Sequence, residues 1–73
     1  MQNQQLTAEV SRAAALSRLR DARRDFVHSD KTVALFAKHS LHSADPVLLA
    51  KLNEARMLHY DDWVDAVRAF RAS

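Results

Sequence analysis

Apolar residues fall on helical faces in three successive stretches of this chain. At 100° per residue, Ala15, Leu19, Ala22 and Phe26 share one face, with Leu16 and Val27 on its shoulder. The pattern predicts a helix over about residues 6–27, starting between Asn3 and Thr7, either of which can cap it. Leu6, Val10 and Ala13 lie further round, so the stripe drifts along the helix. In "HSDKTVALFAKHSLHS", Ser29 or Asp30 can cap a second, short helix over about residues 31–41, with Val33, Phe36, Ala37 and Ser40 on one side. "TVALF" has a strand-like composition, but no second strand is available to pair with it. The third stretch is the best defined. Asp45 is an N-cap residue and Pro46 suits the first helical position, so a helix is expected over about residues 46–71. Leu48, Leu49, Leu52, Ala55, His59, Trp63, Ala66, Val67 and Phe70 form its apolar face. Lys51, Glu54, Asp61, Asp62, Asp65 and Arg68 form the opposite side.

Four apolar residues spoil that division: Val47, Met57, Leu58 and Val64 lie among or beside the charged ones. Of the 22 large apolar side chains, 11 belong to this last helix. The two N-terminal elements offer too little apolar surface to cover it on more than one side. A second contact, with another copy or another protein, would cover the rest.

Composition narrows the fold to one class. Glycine is absent and Pro46 is the only proline, which disfavours hairpin turns and phosphate-cradling loops. Alanine, leucine and arginine abound, all good helix formers. The expectation is a single all-α domain over residues 1–73: a small helical hairpin or three-helix domain, with two long helices and a short one between. A chain of 73 residues makes a marginal core, and no cysteine is present to add a disulfide or thiolate metal site. Oligomerisation is the simplest remaining way to enlarge the core, so a homodimer is expected. The opening "MQNQQLTAEV" lacks the pattern of a signal peptide, and no apolar run reaches the roughly 18 residues of a membrane span. A cytoplasmic protein without membrane contact is the corresponding expectation.

Candidate chemistry gathers in "LHYDDWVDAVRAF", which holds the only Tyr and Trp with one His and three Asp. Acid/base catalysis needs groups within reach of one reacting atom. His59 and Trp63 lie on the apolar face, whereas Asp61, Asp62 and Asp65 point away from it, so His59 reads as a core or interface histidine. His28, His39 and His42 do not complete a recognisable zinc ligand set. No cysteine or glycine-framed serine offers a nucleophile. The chain reads as a non-enzyme without metal or cofactor.

Net charge is only +2, but its distribution is uneven. Residues 12–24 carry five arginines against Asp21, whereas the tail from Asp45 carries five acids against four bases. Arg12, Arg20, Arg23 and Arg24 are candidates for contact with nucleic acid or an acidic partner. Asp21 and Asp25 interrupt this stripe, and no side chains are placed to read bases. "FAKHSLHSADPVLLAKL" can be laid on a helix-turn-helix template, but it lacks the turn glycine and puts Pro46 inside the recognition helix.

In "SADPVLLAKLNEARMLHY", a small residue, Asp-Pro, and Leu-Leu-Ala precede an amphipathic helix. This segment resembles the loop and second helix of type III secretion needle subunits, which are helical hairpins of about this length. The resemblance covers 18 residues and implies, as an alternative, a structural subunit. The chain departs from that pattern in its shorter final helix and its intervening "HSDKTVALF" element.

The function expected from the residues is protein–protein interaction: a small regulator or inhibitor, of the kind phages and mobile elements carry, that docks its last helix on another protein. Arg56, Met57, Leu58, Tyr60, Trp63, Val64, Val67 and Phe70 are the candidate contacts, since Trp, Tyr and Arg dominate interface energetics. Nucleic-acid binding through the arginine-rich first helix is the alternative.

Overall fold

The computed structural model describes the backbone of residues 2–39 and 45–73, and the side chains within those ranges from Thr7 onward. The described residues form two helices, α1 (Gln2–His39) and α2 (Pro46–Ala72). The all-α hairpin expected from the sequence is therefore present, but the separate short helix is not: residues 27–33 continue α1 without a break. The start of α1 also differs. Helix is already formed at Gln2, so Asn3 and Thr7 lie inside it instead of capping it. Ser40, Leu41 and His42 lie outside the described residues.

The uninterrupted α1 has a local cause. Neither glycine nor proline stands between Gln2 and His39. The residues that resemble caps are used otherwise. Thr32 Oγ1 donates to the His28 carbonyl one turn back, at 2.9 Å. Asp30 accepts from Arg56 Nη1 of α2 at 3.1 Å, and Ser29 is half-buried.

α2 begins as its sequence predicts. Asp45 is extended (φ −79°, ψ 109°), and its carboxylate accepts from the Val47 and Leu48 amides at 3.0 and 3.4 Å. Pro46 follows at the start of the helix, where it has no amide to leave unpaired. At the other end Ser73 N–H donates to the Ala69 and Phe70 carbonyls.

The helices run antiparallel. Arg12 lies over Phe70, Arg18 reaches Asp62, Phe26 meets Trp63 and Tyr60, and Asp30 meets Arg56, so one number rises as the other falls. All but one of the half-buried and buried residues of α1 follow alternating steps of four and three: Ala15, Leu19, Ala22, Phe26, Ser29, Val33, Phe36, with Leu16 beside the series. In α2 the same steps link Leu49, Leu52, Arg56, His59, Trp63, Ala66 and Phe70, with half-buried Asn53, Ala55, Val64 and Val67 beside them. This is the spacing of coiled-coil seams. Running the two series against each other sets small residues level with large ones: Ala15 with Phe70, Ala22 with Trp63, Ala66 with Leu19, Ser29 with Arg56. Ala22 and Ala66, 3% and 0% exposed, are the two buried apolar residues among those described. No large side chain among them is fully buried. The core is a single seam, not a closed interior.

The molecule measures 64 × 14 × 13 Å. α1 outreaches α2: Thr7 to Ala14 are all exposed, and the Arg12–Phe70 contact marks the end of the shared seam. No helix among the described residues is long and apolar enough to cross a membrane.

Candidate docking surface

A second seam runs along α2 beside the one that α1 covers. Ala50, Asn53, Met57, Tyr60, Val64 and Val67 repeat at steps of three and four, ending at Arg71. Residues so spaced line up on one strip of a helix. α1 shields only its inner edge. Asn53, Val64 and Val67 are half-buried, whereas Met57 is 63% and Tyr60 49% exposed.

Two hollows follow this strip. One, of about 330 Å³, is lined by Phe26, Arg56, Met57, Tyr60 and Asp61. The other, of about 260 Å³, is lined by Tyr60, Trp63, Val64, Val67, Arg68 and Arg71. Tyr60 is common to both, so they form one shallow groove. Its floor is aromatic. Phe26 stacks on Trp63 and meets Tyr60 edge-on, each at 5.5 Å between centroids, while Tyr60 and Trp63 stand edge to face at 6.3 Å. Such pairs add about 0.5–1.5 kcal/mol each to the burial of the rings. They fix Tyr60 from two sides while leaving half its surface to solvent.

The structure brings Met57, Tyr60, Val64 and Val67 together at this groove. Trp63 and Phe70 belong to the seam with α1, and Phe70 lies under the Arg12 guanidinium at 5.1 Å. Arg56 also stands in that seam, bonded to Asp30, and its buried Nε has no hydrogen-bond partner among the described residues. Leu58 is 65% exposed, but its helical phase, shared with Lys51 and Asp65, puts it on the opposite edge of α2 from Met57 and Val64.

Of the arginines read as a stripe, Arg20, Arg23 and Arg24 surround a shallow hollow of about 440 Å³ with Val27, His28 and Lys31. Arg24 sits 3.3 Å from Asp21 and 3.7 Å from Asp25. Arg12 is drawn away to Phe70. Asp62, read from sequence as part of a solvated face, accepts from Arg18 across the helices at 3.3 Å, though both remain about half exposed. Pairs this exposed contribute little, typically about 0.2–1 kcal/mol. From sequence, Asp30 reads as a cap and Arg18 as one of five clustered arginines, and neither is paired with α2. Their signal was positional: each flanks the four-three seam.

His59 is half-buried in the inter-helix seam, in a hollow with Asp25, His28, Ser29 and Thr32. Asp61 lines the groove on the other side, with Met57. The histidine and the carboxylates of "LHYDDWVD" are thus distributed over different sides of α2. His28 and His39 are exposed three turns apart on α1. No cluster of three or more His, Asp or Glu suited to a metal ion occurs among the described residues. Phe36–His39 and Pro46–Leu52, parts of the helix-turn-helix template, belong to opposite antiparallel arms, not to helices crossing at about 90–120°.

Compared with known protein families, with curated proteins and with solved structures, the chain matches none.

Proposed function

We propose that this protein is a non-enzymatic interaction module, a small regulator or inhibitor that acts by docking α2 on another protein. One observation carries the reading: the second apolar seam of α2, Met57–Tyr60–Val64–Val67, is built at helix-packing spacing and left half open by α1. Helix-in-groove recognition uses anchors at such steps. Tyr60 is held between Phe26 and Trp63, so it loses little freedom on binding. Immobilised wild-type chain should capture a protein from its native host that the Met57→Asp chain does not. Equal capture by both would remove the seam from the account.

A second reading is favoured by the basic side of α1, where Arg20, Arg23, Arg24 and Lys31 share one hollow. A nucleic-acid ligand held there would lose affinity steeply with rising salt, because binding releases counterions. A ligand held by the α2 seam would lose far less. The hairpin also accommodates the structural-subunit alternative, which requires assembly into filaments instead of a closed complex.

A further inference from the structure

The groove on α2 has unequal borders. Apolar side chains, Met57, Tyr60, Val64 and Val67, line it along α2. The helical phase of α1 places Leu16, Arg23 and Asp30 on the edge facing Asn53, Tyr60 and Val67, with Arg20 and Val27 next outward. Arg68 and Arg71 border its far end. Asp30 is engaged by Arg56, and Asp61 is the one carboxylate lining the two hollows. Among the described residues, Arg20, Arg23 and Arg71 have no carboxylate within 4.0 Å. An apolar strip with an unneutralised basic border prefers an occupant with apolar anchors and acidic flanks.

We infer that the groove seats one amphipathic helix of another protein, with apolar residues at three-four steps and glutamates or aspartates beside them, completing a three-helix bundle. The inference rests on the docking function proposed above and adds the chemistry of the partner. From Ala50 to Arg71 the strip spans roughly 30 Å, so a segment of about 20 residues fills it. Its apolar side meets Met57, Tyr60, Val64 and Val67, and its acidic flank meets Arg20 and Arg23. A second copy of this chain suits the groove less well, because it brings the same excess of arginine to the contact. Packed two-fold with antiparallel seams, the copies would set one α1 edge against the other.

Two synthetic 28-residue helical peptides test this. Both carry leucine at three-four steps; one has glutamate and the other lysine at every flanking position. Each is titrated into the full-length chain at moderate salt and followed by the fluorescence of Trp63, the only tryptophan, which lines the groove. The glutamate peptide should bind at least tenfold more tightly than the lysine peptide. Arg20→Glu with Arg23→Glu should reverse that order, and Met57→Asp should weaken both peptides at least tenfold. These substitutions fall on exposed positions, so circular dichroism should show the helices intact. Equal binding of the two peptides, or an order unchanged by the arginine substitutions, overturns the acidic partner. Docking on α2 survives that result if Met57→Asp still weakens both peptides, and falls if it weakens neither. A wild-type dimer in sedimentation equilibrium that Met57→Asp dissociates would assign the groove to a second copy and also overturn the inference.

Discussion

Alanine at position 66 is 0% exposed, and its lack of a larger side chain lets α1 approach. Leucine there has no room without displacing the helices, and overpacking of this kind costs about 1–3 kcal/mol. Ala66→Leu should therefore lower the melting temperature, whereas Ala69→Leu, on an exposed position, should leave it nearly unchanged. Arg56 presents the opposite case. It occupies a seam position where an apolar side chain would fit, its Nε is buried without a partner, and its ion pair with Asp30 is half exposed. Replacing such a charge with a well-packed apolar group is often neutral or stabilising. Arg56→Met should melt no lower than wild type, while Asp30→Ala, which leaves the guanidinium in place, should melt lower. Sequence spacing marks the apolar seam residues of both helices, including Trp63 and Phe70, but not Ser29, which it reads as a cap. It did not reveal that Arg56 serves in the seam, because a charged residue at an apolar position reads as solvent-facing until its partner, Asp30, is located.

The two helices differ in how openly the chain announces them. Asp45-Pro46 marks the start of α2 unambiguously, since an extended carboxylate residue before proline satisfies the first amides. Asp45→Ala should cost about 1 kcal/mol, read as a loss in thermal or urea stability. In α1 the signals conflict. Ser29, Asp30 and Thr32 are types that cap helices, yet here Thr32 bonds back along the helix, Asp30 bonds across to α2, and Ser29 is half-buried in the seam. Packing of this stretch against α2, with the Asp30–Arg56 bond, outweighs a modest local preference for a break. A proline at position 31 separates the two arrangements. At the first position of a helix capped by Asp30 it would be tolerated; within a continuous helix it removes a backbone bond and costs about 3 kcal/mol. Lys31→Pro should accordingly destabilise the hairpin by about that amount, and a variant as stable as wild type would show that α1 is two helices.

At the scale of the whole molecule, one seam between two helices leaves much apolar surface uncovered. Val10, Leu35, Val47, Met57 and Leu58 are each more than half exposed. Scattered exposed apolar residues are ordinary, so exposure alone does not select a site. What selects the α2 groove is alignment: Met57, Tyr60, Val64 and Val67 share one strip, adjoin the aromatic trio and stand beside a basic edge. The sequence showed that Met57 and Val64 leave the main stripe. It grouped Leu58 with them, although helical phase puts Leu58 on the other edge. The identity of the covered side became clear only with the register of α1. The most direct test is a methyl NMR titration of the full-length chain with the glutamate-flanked peptide. The methyl signals of Met57, Val64 and Val67 should shift together, while those of Val10, Leu35 and Leu58 stay fixed. Shifts confined to Val10, Leu35 or Leu58, with Met57 and Val64 unmoved, would contradict docking on the second seam of α2.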